Sequence, residues 1–251
     1  MNKNLNIEET FTLAVENHKN NNFQVAENLY KKILEINPNS AGVYYNLGIM
    51  YKELKKYLEA KDCYEKAIKI DPNYTQAHIN LGILFKEMGE LQKSINSFQK
   101  VINIQPNNAD VHNHFGLTLN KMGEHKKAMN CYEKAIQINP NHASAYTNLG
   151  IVHKELGEYQ KAINCYEKAI QINPNYANVY YNYGNMLQEL KKMQKAKSCY
   201  EKLLNLDPTY KKGYSSYGIL LLKISQHNKG LAYIRKGDGV IRFTQNNVKI
   251  I

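Results

Sequence analysis

The sequence predicts an all-α fold in which antiparallel helix pairs stack along the chain as a solenoid. The first observation is the placement of the prolines, which stand at positions 38, 72, 106, 140, 174 and 208, an interval of 34 residues each time. The second observation is a small residue that recurs every 34 residues, and the third is an aromatic residue that recurs at the same interval. A fixed period of this size is typical of repeat folds in which each unit buries its apolar face against its neighbours.

The register becomes clear when each unit is numbered so that its proline is position 32, which places the second unit at residues 41–74. Position 8 is small in every unit: Ala14, Gly48, Gly82, Gly116, Gly150, Gly184 and Gly218. Position 20 is also small: Ala26, Ala60, Ser94, Ala128, Ala162, Ala196 and Gly230. Position 24 is aromatic in the first six units: Tyr30, Tyr64, Phe98, Tyr132, Tyr166 and Tyr200.

Each recurring residue type has a structural reason. Small residues at positions 8 and 20 let two helices approach closely, and large residues at positions 7, 24 and 28 fill the space between neighbouring pairs. Gly89, Gly123 and Gly157, at position 15, suit a left-handed turn that closes the first helix. Proline at position 32 cannot continue the second helix, so it separates one unit from the next.

The pattern resembles that of the tetratricopeptide-repeat (TPR) family, whose helix–turn–helix unit also has about 34 residues. The stretch 143–176 is close to a consensus unit, and the resemblance covers residues 7 to about 230. It implies a right-handed superhelix with six complete units, at residues 7–40, 41–74, 75–108, 109–142, 143–176 and 177–210. We expect a degenerate seventh unit or capping helices at 211–236. The β-branched runs in the tail, residues 237–251, predict a short hairpin.

The resemblance implies that the first helix of each unit lines a concave groove, with positions 2, 6, 9 and 13 facing a ligand. Position 6 is mostly Asn, and units two to six have Asn46, Asn80, His114, Asn148 and Asn182 there. Because an Asn carboxamide offers a donor and an acceptor, a ladder of them can bond the main chain of an extended peptide. This ladder resembles the one in the repeat arm of O-linked N-acetylglucosamine transferases, which grips substrate polypeptide. We therefore expect these residues to contact a peptide, with His114 interrupting the ladder.

Positions 9 and 13 complete the predicted groove. Position 9 is mostly apolar, which would give each step a dry contact: Ile49, Ile83, Leu117, Ile151 and Asn185. Position 13 is mostly acidic, which predicts some tolerance for basic ligands: Glu53, Glu87, Lys121, Glu155 and Glu189. Lys52, Lys86 and Lys154 stand beside three of these Glu residues and weaken that expectation. The C-terminal-carboxylate clamp of chaperone-adaptor arrays is disfavoured, because positions 2, 5, 6 and 9 of units two to six contain no Lys or Arg.

Residues that suggest chemistry are better explained by packing. Cys63, Cys131, Cys165 and Cys199 all occupy position 23, one repeat apart, whereas a disulfide needs Cα atoms within about 7 Å and zinc ligands must share one centre. His78 and His112, at position 4, and His153, at position 11, replace aromatic residues of other units. No catalytic motif stands out. The sequence therefore predicts no enzyme activity, no cofactor and no metal site.

The formal net charge of +11 would suit a nucleic-acid or anionic-membrane partner. Most lysines, however, fall in turns and on second helices, and the only arginines are Arg235 and Arg242, whereas specific nucleic-acid sites rely on Arg. A nucleic-acid partner is therefore disfavoured. No apolar stretch reaches the roughly 18 residues of a spanning helix, and the N-terminus lacks a signal-peptide core. We expect a cytoplasmic protein with no membrane partner.

The predicted function is that of a protein-interaction scaffold that holds a peptide or protein segment in the groove. The alternative is the substrate-recognition arm of an enzyme, such as a glycosyltransferase or a 2-oxoglutarate-dependent oxygenase, whose catalytic domain is absent from this chain. Self-association by end-to-end stacking of units stays open as a third interpretation.

Overall fold

The computed structural model describes residues 6–238, 241–244 and 247–250, and within them the chain forms fourteen helices and one two-stranded sheet. The odd-numbered helices are called A helices: α1 Ile7–Lys19, α3 Ala41–Glu53, α5 Thr75–Glu87, α7 Ala109–Lys121, α9 Ala143–Glu155, α11 Ala177–Glu189 and α13 Lys211–Lys223. The even-numbered helices are called B helices: α2 Phe23–Ile36, α4 Tyr57–Ile70, α6 Leu91–Ile104, α8 His125–Ile138, α10 Tyr159–Ile172, α12 Met193–Leu206 and α14 His227–Asp238. The all-α, helix-pair fold predicted from the sequence is confirmed.

Independently of the 34-residue repeats, the chain divides into two compact units, residues 1–131 and 132–251, with the division inside α8. From here on, these two parts are called the first unit and the second unit, and the 34-residue elements are called repeats. In the first unit, fully buried rings of Tyr30, Tyr64 and Phe98 lie at the centre of successive core clusters. In the second unit, one larger cluster extends from Ala162 on α10 to Leu221 on α13. Each unit therefore has its own apolar core, built from the recurring positions.

The pairs α3–α4, α5–α6, α9–α10 and α11–α12 close on a contact between the glycine at position 8 and the ring at position 24. A Cβ atom added to Gly48 would lie 2.5 Å from Cε1 of Tyr64, and one added to Gly150 would lie 2.8 Å from Cε1 of Tyr166. Both rings are 0% exposed. In these pairs a methyl group would overlap the ring, so the glycine at position 8 follows from the large residue at position 24.

The same ring also contacts the next A helix. The centroid of Tyr166 lies 5.5 Å from that of Tyr183, and the centroid of Tyr200 lies 5.9 Å from that of Tyr217. Tyr183 and Tyr217 both occupy position 7 and are almost fully buried. The aromatic residue at position 24 therefore packs within its own pair as well as between pairs, whereas the sequence pattern predicted only the second contact.

The A helix ends in a left-handed residue at position 15. Gly89, Gly123 and Gly157 have φ values of 81°, 81° and 76°, as the sequence predicted. The same conformation occurs without glycine at Asn21, Lys55, Lys191 and Ser225, with φ values of 60°, 58°, 56° and 62°. A left-handed non-glycine residue costs about 1 kcal/mol. The hydrogen bonds of the turn hold it there, for example the 2.8 Å bond from the N–H of Lys56 to the carbonyl of Tyr51.

The link between consecutive pairs is tied by the side chain at position 4. Ring Nε2 of His78 lies 3.0 Å from the carbonyl oxygen of Pro72, and Nε2 of His112 lies 2.9 Å from that of Pro106. Because a carbonyl only accepts, both rings donate from Nε2. The hydroxyl of Tyr180 donates to the Pro174 carbonyl in the same way, at 3.0 Å. Histidine and tyrosine are thus equivalent here because each brings an apolar ring and a donor.

The C-terminal stretch contains strands β1 Ile241–Thr244 and β2 Asn247–Ile250, which pair antiparallel with Ile241 opposite Ile250. Helix α14 ends at Asp238 and so includes the first two residues of the tail predicted at 237–251. A Cβ atom at Gly237 would lie 2.7 Å from the carbonyl oxygen of Lys211. This glycine therefore permits the end of α14 to lie close to the start of α13.

The contact between glycine and ring predicts opposite effects for two glycines of α3. We expect Gly48→Ala to lower the free energy of unfolding by about 1–3 kcal/mol, because its Cβ would overlap the buried Tyr64 ring. Gly42 has no atom within 4 Å of an added Cβ. Gly42→Ala should therefore be neutral or stabilising by up to about 1 kcal/mol, as in an open helix position. Urea unfolding followed by circular dichroism measures both, and equal effects would refute the packing argument.

Candidate functional site

The predicted ligand-contacting residues all lie on A helices. The surface formed by positions 6, 9 and 13 is called the A face. Each unit has its own A face: α3, α5 and α7 supply it in the first unit, and α9 and α11 supply it in the second.

Three of the position 6 carboxamides are held by hydrogen bonds within the protein. Nδ2 of Asn46 donates to the carbonyl of Gly42 at 2.8 Å, and Nδ2 of Asn182 donates to that of Asn178 at 2.8 Å. Nδ2 of Asn80 donates to the hydroxyl of Tyr45 at 3.3 Å. All three side chains are only partly buried. Their orientation is thus set before any ligand arrives.

The remaining position 6 residues differ in their surroundings. Asn148 is half-buried on α9. The ring of His114 stacks on Phe98, with centroids 5.8 Å apart and an interplanar angle of 10°. His114 therefore replaces a carboxamide of the ladder with an aromatic contact to α6.

Position 9 combines partial exposure with packing on the core. Ile49, Ile83 and Ile151 are half-buried, and each packs against a core cluster of its own unit. Leu117 on α7 is half-buried as well. Each of these side chains can offer an apolar surface beside the position 6 residue without leaving the core.

Asn185, the position 9 residue of α11, has a different role. Its Oδ1 accepts a 2.7 Å hydrogen bond from the hydroxyl of the fully buried Tyr200, to which Oε1 of Gln188 is also close, at 3.2 Å. The equivalent hydroxyls of Tyr30, Tyr64 and Tyr166 are buried without a hydrogen-bond partner among the described residues. Asn185 thus satisfies a buried hydroxyl of the core, a contact that its sequence position did not indicate.

The acidic row at position 13 is largely paired. Oε2 of Glu53 lies 3.1 Å from Nε2 of His18, and Oε1 of Glu87 lies 3.1 Å from Nζ of Lys52. In the second unit, Oε1 of Glu189 lies 2.7 Å from Nζ of Lys154. Glu155 is exposed on α9. Each of the three contacts joins position 12 of one A helix to position 13 of the next, and the two lysines compensate the negative charges of Glu87 and Glu189.

Sequence analysis did not identify these pairs or the contact between Tyr45 and Asn80. Both connect residues 35 apart, one more than the repeat period. A search for complementary charges at that offset would have found the ion pairs, because position 12 is Lys in repeats two, three and five.

The cysteines behave as packing residues of the B helices. Cys63 and Cys199 are buried and Cys131 and Cys165 half-buried, all as free thiols. Burial raises the pKa of each thiol to about 11. The described residues contain no group of His, Cys, Asp or Glu side chains placed to hold a metal ion.

The described cavities lie away from the A face. One of about 560 Å³ is lined by Tyr44 and Lys66, whose ammonium lies 5.4 Å from the Tyr44 ring centroid. Another, of about 470 Å³, lies beside Phe115 and Met122. Both are lined partly by B helices.

These features define a helical repeat protein with an exposed, pre-oriented polar face in each unit. The chain belongs to the tetratricopeptide-repeat family. Family profiles described as tetratricopeptide repeat match residues 41–74, 63–96, 143–176 and 165–198, and a profile described as TPR repeat matches 84–123 and 116–157. Together they cover residues 41–198 without a gap. The TPR fold is typical of protein–protein interaction scaffolds.

Solved structures of TPR proteins resemble this chain. A tetratricopeptide repeat protein from Parabacteroides merdae is 19% identical with a TM-score of 0.79, over 93% of this chain and 92% of that one. MamA is 27% identical with a TM-score of 0.60, over 68% and 94%. YrrB, described as a TPR protein with an unusual peptide-binding site, is 20% identical with a TM-score of 0.54, over 78% and 97%.

No curated protein sequence gives a significant match. Among the described helices, none has the length and apolar character needed to cross a membrane.

The buried tyrosines predict a contrast within the second unit. Tyr166→Phe should leave the free energy of unfolding unchanged or raise it by up to about 1 kcal/mol, because it removes a buried hydroxyl without a partner. Tyr200→Phe should lower it by about 1–2 kcal/mol, since it leaves Oδ1 of Asn185 without its donor. Chemical unfolding of the two variants beside the wild type measures the difference, and a more stable Tyr200→Phe variant would contradict it.

The raised thiol pKa values predict slow cysteine labelling. With a pKa of about 11, roughly one thiol in a thousand is ionised at pH 8. Native protein should therefore react with a chromogenic disulfide reagent far more slowly than protein unfolded in urea. The folded thiols keep their protons, so their contribution to stability is complete below about pH 8.5 and is lost as the pH rises towards 11. Rapid labelling of any cysteine in native protein would show that its site is open.

Proposed function

We propose that the chain is a protein-interaction scaffold whose A faces bind an extended polypeptide segment mainly through its main chain. The observation that carries the proposal is the orientation of the position 6 carboxamides by the protein itself. Asn46 and Asn182 each use one N–H on a carbonyl of their own helix.

After these bonds are made, the two carboxamides keep further hydrogen-bonding capacity for a ligand. A carboxamide has two N–H donors and a carbonyl acceptor, so each of these Asn side chains can still donate once and accept. An extended peptide presents both backbone groups along its length. Because the carboxamides are already oriented, a ligand need not restrict their rotamers, which reduces the entropic cost of binding.

The neighbouring positions favour the same ligand. Partly exposed Ile49, Ile83 and Ile151 offer an apolar contact next to the polar row, and such contacts supply affinity without selecting a particular residue. The acidic side chains of Glu53, Glu87 and Glu189 are paired within the protein. A largely compensated face favours main-chain recognition over attraction by net charge.

The relatives agree with this class of ligand. The TPR fold is shared with proteins that bind protein or peptide partners, and the similar protein YrrB is described as having a peptide-binding site. Its identity of 20% transfers the fold and no particular residue.

The proposal predicts that removing the carboxamides weakens peptide binding. A binder selected from a displayed library of random twelve-residue peptides serves as the probe, and fluorescence anisotropy measures its affinity. The variant with Asn46, Asn80, Asn148 and Asn182 changed to Ala should bind at least about tenfold more weakly, because each lost hydrogen bond contributes roughly 0.5–1.5 kcal/mol.

A matched variant changes the same number of exposed Asn residues on B helices to Ala, at Asn96, Asn103, Asn130 and Asn164. It should keep wild-type affinity, and circular dichroism should show that both variants keep their helical content. If the A-face variant binds as tightly as the wild type, or both variants lose affinity equally, the A face is not the peptide-binding surface.

A further inference from the structure

One step of the first unit departs from the charge pattern of the A faces. At two other steps, Lys at position 12 of one A helix pairs with Glu at position 13 of the next: Lys52 with Glu87 and Lys154 with Glu189. Between α5 and α7 the corresponding residues are Lys86 and Lys121, so two cations stand where the pattern has an ion pair.

The two lysines are neighbours in space. Nζ of Lys121 donates a 3.2 Å hydrogen bond to the backbone carbonyl of Lys86. Within the described part of the chain, no carboxylate lies within ion-pair distance of either ammonium group. The nearby Glu87 is bound to Lys52, so the four charged side chains at this step leave an excess of positive charge.

Of the two lysines, Lys86 is the one whose charged state is disfavoured by its surroundings. Its partial burial lowers the pKa of its ammonium, the positive charges of Lys52 and Lys121 lower it further, and Glu87 opposes both effects. A partly buried cation whose surroundings carry an excess of positive charge is held in an unfavourable state. An anionic group from outside would relieve it.

The position of the pair connects it to the A face. Lys121 lies one helical turn beyond Leu117, which lies one turn beyond His114. The same helix therefore replaces both the carboxamide and the acidic residue of the pattern. The Glu53 and Glu87 carboxylates nearby disfavour a polyanion such as a nucleic acid, whereas a single carboxylate can approach the two lysines.

We propose that Lys86 and Lys121 form a subsite for one Asp or Glu side chain of the bound peptide and so set its register on the first unit. This inference rests on the proposed function, since the peptide main chain must lie along the A face for its side chain to reach the lysines. The charge-assisted hydrogen bonds of such a pair are stronger than those between neutral groups. A main-chain grip that tolerates many sequences would thereby acquire a preference at one position.

The test selects a displayed library of random twelve-residue peptides on three proteins: wild type, Lys121→Glu and Lys100→Glu. Lys121→Glu creates the Lys–Glu pair found between α3 and α5 and between α9 and α11, so it should fold at least as stably as the wild type, as thermal unfolding would show. Lys100 is exposed on α6 and serves as the control for a change of charge. Wild type and Lys100→Glu should enrich Asp or Glu several-fold at one position, and Lys121→Glu should not.

A synthetic peptide from the selection then gives the affinities. Changing its acidic residue to the amide should weaken binding to the wild type about tenfold and leave binding to Lys121→Glu nearly unchanged. Lys86→Met removes one ammonium without adding negative charge, and it should reduce the same difference in affinity. If selected peptides depend on the Asn residues but show no acidic preference, or keep it with Lys121→Glu, this inference alone is overturned. If the wild type selects no peptide, the proposed function falls with it.

Discussion

The close approach of glycine at position 8 to the ring at position 24 is the contact on which the rest of the structure depends. It sets the distance between the two helices of a pair, because a single methyl group on Gly48 would overlap the Tyr64 ring. The same ring forms the surface on which position 7 of the next A helix packs, as Tyr183 does on Tyr166. Positions 6, 9 and 13 of the same A helices stay partly or fully exposed, as Asn46, Ile49 and Glu53 do on α3, and they form the A face.

The A face combines fixed polar groups with compensated charge. Intramolecular bonds orient Asn46, Asn80 and Asn182, while ion pairs between successive A helices bind much of the acidic row. A surface of this kind loses little side-chain rotamer entropy on binding and has a small net charge. Both properties suit recognition of a peptide main chain. Against that background, two lysines at one step stand out as a means of selecting a side chain.

Departures from the repeat pattern are explained by what they contact. His78 and Tyr180 both donate to the proline carbonyl of the preceding linker, so either residue serves at position 4. Asn185 departs from the apolar position 9 and meets the hydroxyl of Tyr200. Lys55 adopts a left-handed conformation that glycine provides in other repeats, because the hydrogen bonds of the turn require it. The substitutions at positions 4 and 15 thus keep an interaction of the fold, whereas Asn185 adds one.

The sequence by itself determined the helix pairs, their 34-residue period, the turns at Gly89, Gly123 and Gly157, and the residues of the A face. These follow from local rules, since helix ends, small residues and apolar spacing are written within each repeat. The tertiary structure decided which side chains of neighbouring repeats contact each other. The pairing of Lys52 with Glu87 and of Tyr45 with Asn80 depends on an offset of 35 residues between neighbouring A helices. The offset is one residue more than the repeat period, so these contacts depend on how neighbouring helices stack in space.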